Sequence, residues 1–292
     1  MIDFVAFDSF GIKSMCTKIV TNDVKIVIDP GVAIETNSFP IPLFDRLTLV
    51  DRYERKIRES MKNTDITIIT HYHYDHHIPE GNLYKGKKLL IKHPEKNINK
   101  SQKNRAKYFL DLVRGNEIFY ADNNELKFGS TKIRFTKPLW HGTRGTKLGF
   151  VVGVIIENKE KIFFTSDIDG PCIEEYADMV VEEKPEILII DGPATYLLGY
   201  IMSYENLKKS IKNLKKIVEK TDFKTMLLDH HLLRDYRYRD LLHEVYETGE
   251  KLGKNVITAA EYNNKKPAVI EGYERYGPTK WKTWEKHDTH FV

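Results

Sequence analysis

Cysteine is nearly absent: only Cys16 and Cys172 occur in 292 residues, and they form no CxxC pair. Neither a disulfide framework nor a thiolate zinc site is therefore indicated. Long apolar runs are missing as well. The longest stretches, such as GFVVGVII from Gly149, fall far short of the ~20 residues that a membrane helix requires. The opening residues, MIDFVAFDSF, carry no basic n-region or cleavage signal, so no secretory leader is expected. Together these absences predict a cytoplasmic protein with no membrane partner. Charge of one sign is also scarce. Lys+Arg number 46 against 42 Asp+Glu, a net charge of +4 that is too mild to imply nucleic acid by itself. Gly142, Gly145 and Gly149 do not make a strand-bounded GxGxxG, so no dinucleotide site is implied.

Lysine, glutamate, isoleucine and tyrosine are plentiful, a balance that resembles hyperthermophile proteins, where ion-pair networks support stability. Lysine runs are accordingly read as solvated surface. Short β-rich runs open the chain (DFVAF, TKIVT, VKIVID), the last two separated by a turn at Asn22-Asp23. Further strands are expected at DITIIT, KKLLIK, TKIRFT, GFVVGVII, KIFFTS, EILIID, KTMLLD and NVIT. Tyr53, Ile57 and Met61 share one face of a helix through DRYERKIRESMK. Ser203 caps a second helix, with Leu207, Ile211, Leu214 and Val218 at helical spacing. Leu241, Leu242, Val245 and Leu252 repeat the pattern before Gly253. With no repeat and no linker, one domain over 1–292 is expected, with helices covering two sheets. Residues 262–292 read as an aromatic, irregular extension.

Against this background THYHYDHH, residues 70–77, stands out. It places four of eleven histidines in seven positions, directly after a buried-strand pattern. In His71-x-His73 alternate residues of an extended segment point the same way, so both rings can reach one ion. Asp75 and His76 lie past the strand end and can turn toward a second. His141, in PLWHG, follows the strand KIRFT, and Asp167, in FFTSDIDG, ends another. His230 and His231 end a third, in LLDHHLLRD. Seven of the eleven histidines thus occupy strand-end loops, where α/β folds place their sites. Asp29, in IVIDPG, is either a carboxylate that fixes a ligand histidine's tautomer or a strand-end turn former.

HxHxDH after a strand, then a lone histidine, a strand-end aspartate and a strand-end histidine, resembles the metallo-β-lactamase-fold hydrolase superfamily. IVIDPG resembles its first motif, and the match runs in order from Asp29 to His231. The opening FDSFGIKSMCT and the DGP pairs point to an archaeal branch. The resemblance implies an α/β fold: a four-layer αββα sandwich of two mixed sheets flanked by helices. It implies one metal on His71, His73 and His141, another on Asp75, His76 and one of His230 and His231, and Asp167 bridging both. His230 aligns more simply as the ligand, which leaves His231 lining the pocket. Imidazoles and carboxylates suit two zinc ions, and iron or manganese use the same donors.

Two such ions, about 3.5–4 Å apart, hold a bridging hydroxide and polarise the oxygen of the bond under attack. The expected reaction is hydrolysis of a small ester, lactone or phosphodiester, with Asp75 orienting the hydroxide and His231 as candidate general acid. Tyr196 is a second candidate, although packing is its more ordinary role. His77 reads as structural and Asp169 as a loop residue, and Asp191 is either a carboxylate behind the ligands or a turn former, with the turn favoured. Three alternatives stand beside this reading. A nuclease of the same fold would use the basic stripe Lys100, Lys103, Lys107 and Arg114 in residues 94–115, although a solvated helix explains those charges more simply. A mononuclear iron oxygenase would use the same ligands for redox chemistry. A non-catalytic metal-binding protein would close the coordination sphere. Trp281 and Trp284, with Tyr273 and Tyr276, interleave with charges near the end of the chain, where His287 and His290 read as incidental.

Overall fold

The computed structural model describes residues 1–279. Trp281, Trp284, His287 and His290 lie outside them. The first sheet contains six strands in sequence order: β1 (Ile2–Phe7), β2 (Met15–Val20), β3 (Lys25–Ile28), β4 (Ile66–Ile69), β5 (Lys88–Ile91) and β6 (Ile118–Tyr120). The first three form an antiparallel meander through the Asn22-Asp23 turn, and β3 to β6 run parallel. The remaining strands are β7 (Glu125–Phe128), β8 (Thr131–Phe135), β9 (Leu139–Trp140), β10 (Phe150–Val151), β11 (Val154–Glu157), β12 (Lys161–Phe164), β13 (Ile187–Asp191), β14 (Thr225–Asp229) and β15 (Asn255–Ile257). The second sheet has the order β15-β14-β13-β12-β11-β8-β7, while β9 and β10 pair apart from it. Its β12 to β15 are parallel and the others antiparallel.

Alternation along these strands dictates the layers. Val154, Ile156, Ile162, Phe164, Ile189 and Leu227 are buried with the first sheet's side chains. Their neighbours Ile155, Phe163, Leu188, Ile190, Met226 and Leu228 point the other way, into a core with Leu207, Ile211, Leu214 and Val218 of helix Tyr204–Lys220. Ser203 caps that helix by accepting from Asn206 N at 3.1 Å. On the other side, Tyr53, Ile57 and Met61 of helix Leu43–Met61 and Ala106 and Phe109 of helix Lys100–Leu112 pack with the first sheet. The result is the αββα sandwich. Each fully buried Ile or Phe contributes roughly 1.5–3 kcal/mol to holding the layers together.

GFVVGVII is two strands rather than one. Gly153 divides it, since a Cβ there would lie 2.9 Å from the Phe163 ring and 3.1 Å from Thr136 Cγ2. The terminal segment differs too: Ala268–Tyr276 is a helix, burying Ala268, Val269 and Gly272, where irregular chain was expected. In residues 94–115 the helix buries Ala106 and Phe109 and leaves Lys100, Lys103 and Lys107 exposed. No helix among the described residues is long and apolar enough to cross a membrane.

Strands β3, β4, β12, β13 and β14 belong to the parallel runs of their sheets, so in each sheet their C-terminal ends open at one edge. The segments leaving those ends carry Asp29, His71 to His76, Asp167, Asp191 and His230.

Candidate metal centre

Asp167 organises the centre. Its Oδ2 lies 3.1 Å from His76 Nε2, 3.2 Å from His141 Nε2, 3.4 Å from His230 Nε2 and 3.5 Å from His71 Nε2. His73 joins through Nδ1, 3.1 Å from His71 Nε2. The donor atoms of His71, His73, His141 and Asp167 all lie within 4.8 Å of one another, and so do those of Asp75, His76 and His230. All seven residues singled out from the sequence as ligands therefore converge. His71, His76, His141, Asp167 and His230 are buried, whereas His73 and Asp75 are half-buried.

Backbone strain helps to aim them. Asp29, Ser166 and His230 hold φ values of 49°, 58° and 60°, in the left-handed region that non-glycine residues avoid. Ser166 is fixed there by Thr70, with the two hydroxyl oxygens 2.7 Å apart, and this turns the chain so that Asp167 faces inward. Gly31 is the necessary small residue beside the cluster. A Cβ there would stand 2.2 Å from His77 N and 2.3 Å from His76 N.

Three imidazoles have a carboxylate behind them. His76 Nδ1 donates to Asp29 Oδ2 at 2.8 Å, and Asp29 also accepts from Thr70 N and Thr70 Oγ1. Asp29 thus fills both roles considered for it, turn former and hydrogen-bond partner. His230 Nδ1 donates to Asp8 Oδ2 at 2.7 Å, and Asp8 Oδ1 accepts from Arg234 Nε at 2.6 Å. His231 Nδ1 lies 3.0 Å from both Asp191 oxygens, with 13% of its side chain exposed. Asp191 is consequently not merely a turn former: it is fully buried and also accepts from Asp169 N and His231 N. Asp8 was missed by sequence reasoning. The available signal was its place directly after the apolar strand β1, which matches Asp29 after β3.

Burial lowers His71 well below the ordinary imidazole range and takes His73 down to about 3, where neighbouring His141 also opposes a charge. Burial would lower His76 too, but the Asp167 and Asp29 carboxylates outweigh it and hold this residue at about 10. His230 is likewise raised, because Asp8 and Asp167 overcome its burial. Burial would raise Asp167 and Asp75, yet the surrounding imidazolium charge of His76 and His230 pulls both below the carboxylate range. Burial and Asp167's charge carry Asp191 up to about 7, even though His230 opposes the rise.

Several polar atoms here are orphaned. Among the described residues His76 Nε2, both nitrogens of His141 and Asp167 Oδ1 are buried without a hydrogen bond. Unmatched donors and acceptors at such density are costly. A cation shared among imidazole nitrogens and one carboxylate would satisfy them, so the donor set fits divalent metals.

His77 and Tyr196 fall outside this set. His77 is buried, with Nδ1 on the His73 carbonyl at 3.0 Å, and it supports the loop. Tyr196 is buried against Arg234, whose Nη1 donates to its hydroxyl at 3.2 Å. Asp169 holds Ala194 N at 2.8 Å.

No family model matches the chain. Among solved structures, a diiron β-hydroxylase of Streptomyces venezuelae superposes with a TM-score of 0.53 at 15% identity, over 83% of this chain and 51% of that one. An isothiocyanate hydrolase from Delia radicum gut bacteria gives 0.49 at 17%, over 85% and 94%. A metallo-β-lactamase of Elizabethkingia meningoseptica gives 0.36 at 12%, over 94% and 88%. At 15% identity the likeness to the β-hydroxylase speaks for fold alone. Sequence relatives are much nearer. A UPF0282 protein of Korarchaeum cryptofilum is 38% identical over 293 residues, 96% of this chain and 97% of that one. Another, of Methanopyrus kandleri, is 37% identical over 286 residues, 92% and 96%. With that identity sustained over almost its whole length, the chain belongs to the archaeal UPF0282 family.

Proposed function

We propose that this protein is a hydrolase dependent on two divalent metal ions, acting on a small ester, lactone or phosphodiester. His71, His73 and His141 would hold one ion, Asp75, His76 and His230 the other, and Asp167 would belong to both. The observation that carries the reading is the position of Asp167 Oδ2, within 3.5 Å of four imidazole nitrogens from three separate segments of the chain. When bound, the ions supply a nucleophile from water near neutral pH and polarise the oxygen of the bond under attack.

The protein's own groups do the rest. Asp29 and Asp8 accept the outer N–H of His76 and His230, so each imidazole turns its Nε2 lone pair toward the centre. Asp75, half-buried, accepts a hydrogen bond from the attacking water. His231 gives its Nδ1–H to Asp191 and keeps Nε2 as the acceptor. A proton taken there is returned to the leaving oxygen. Partial exposure of His231 and Asp75 supports an open side through which substrate enters. That opening favours an enzyme over a closed structural site. Zinc suits the donors best, as imidazole and carboxylate without thiolate, and iron or manganese share them.

The test is metal analysis of the purified protein beside Asp167→Ala and His141→Ala, followed by hydrolysis assays on phosphodiesters, lactones and esters. About two equivalents in the parent, falling in both variants, with turnover of one class, support the proposal. Unchanged metal content in Asp167→Ala rejects it.

A further inference from the structure

One buried cation beside the centre is underused. Arg234 lies four residues past His230 in the same 3-10 segment, His230–Arg234, so the turn that delivers the imidazole also delivers the guanidinium. Only 3% of Arg234 is exposed. Its Nε is spent on Asp8 Oδ1 and its Nη1 on the Tyr196 hydroxyl. Among the described residues its Nη2 makes no hydrogen bond, and it sits 3.8 Å from Asp75 Oδ2. A buried guanidinium N–H without an acceptor is destabilising unless something arrives to take it.

The neighbours point the same way. The Tyr196 oxygen accepts from Arg234, so its own proton remains free to be donated. Lys13 is half-buried, and its ammonium makes no hydrogen bond or ion pair among the described residues. Its chain neighbour Ser14 donates its N–H to Asp8 Oδ2, on the same carboxylate that takes Arg234 Nε, which sets this segment beside the guanidinium. Burial and that like charge lower the pKa of Lys13. Three carboxyls lie near the pair, and Asp75 faces Arg234 Nη2 at 3.8 Å without a hydrogen bond. Asp8 is occupied by Arg234, His230 and Ser14 N. Glu35 Oε2 stands 3.8 Å from Arg234 Nε, its Oε1 has no partner among the described residues, and burial and the Asp8 charge push its pKa up to about 8.

We propose that Arg234, Lys13 and Tyr196 form an oxyanion subsite next to Asp75, which receives a carboxylate or phosphate group borne by the substrate. The inference rests on the hydrolase reading and narrows it: the substrate carries a fixed negative group in addition to the bond that is cleaved. Planar guanidinium, ammonium and phenol donors together match the several acceptor lobes of such an oxyanion.

Calorimetric titration with inorganic phosphate, and separately with acetate, tests the subsite in the parent, Tyr196→Phe and Lys13→Met. Lys13→Met keeps most of the packing and removes the ammonium, while Tyr196→Phe removes both the phenol proton and the oxygen that accepts from Arg234 Nη1. Binding of either anion that weakens about tenfold in both variants, at unchanged metal content and thermal midpoint, supports the subsite, since a lost hydrogen bond to a charged group is worth about that factor. Which anion binds identifies the group. Equal affinity in parent and variants, or binding of neither anion at millimolar concentration, overturns it. The titration is repeated after chelation. A parent that takes up no metal defeats the hydrolase reading, while the anion comparison in that same sample still decides the subsite.

Discussion

His76 on Asp29 and His230 on Asp8 form an inner wall of the centre, and His231 on Asp191 stands at its mouth. The three pairs share one design, a strand-end carboxylate gripping Nδ1 at 2.7–3.0 Å. Their electrostatics are opposite. The wall imidazoles face Asp167, and two carboxylates apiece raise them despite full burial. Burial lowers His231 well below the imidazole range, and the positive neighbours Arg234 and His230 reinforce it. A backing carboxylate alone therefore does not decide whether an imidazole is a charge holder or a proton acceptor. What faces its other nitrogen does.

The harshest way to break this contrast is Asp167→Ala. It removes the group that separates wall from mouth, and both metal equivalents should be lost together with activity, read by metal analysis and turnover. Asp191→Asn sharpens the contrast from the other side. Metal content should stay at the parental value while kcat falls about 100-fold or more and the pH–rate profile shifts. Loss of metal in Asp191→Asn would instead place His231 in the wall.

Asp29→Asn should weaken metal affinity about 10- to 100-fold without emptying the site under saturating metal, as measured by competition with a chelator. A milder effect is expected from pH. His76 is raised from an ordinary value of 6.5 to about 10, so in metal-free protein its contribution to stability is complete below pH 6.5 and disappears as pH climbs through 10. Metal must displace that proton, so metal affinity should rise over the same window, by about tenfold per pH unit for each proton released. Thermal unfolding should then show stability falling with pH across this window in chelated protein and nearly level with metal bound, and parallel slopes would contradict the assignment.

Much of the centre was legible because its chemistry demands scarce residue types at strand ends, and histidines at 71, 73, 76, 141 and 230 have few other reasons to cluster there. The layers were legible from the short apolar runs of β11 to β14 set between helical stripes, where burial on both faces leaves little choice of residue. Asp8 was hidden because its partner is 222 positions away, and an aspartate after a strand reads equally as a turn. Arg234 drew no reading, since nothing local announces that a segment will be buried. Helix Ala268–Tyr276 escaped because it buries only small residues and one valine, too faint a stripe beside its tyrosines and glutamates. The break at Gly153 depends on the Phe163 ring in the neighbouring strand, a clash that appears only once the strands are paired.

The left-handed backbone at Ser166 carries a lesson for anyone wishing to make this scaffold hardier. Glycine there would relieve roughly 1–3 kcal/mol of conformational strain and would pass most stability screens. It would also delete the hydroxyl tie to Thr70 and let the adjoining aspartate wander. Heat tolerance and aim pull in opposite directions at that single residue, so variants selected for melting temperature alone should drift toward sturdier proteins that hold their ions loosely.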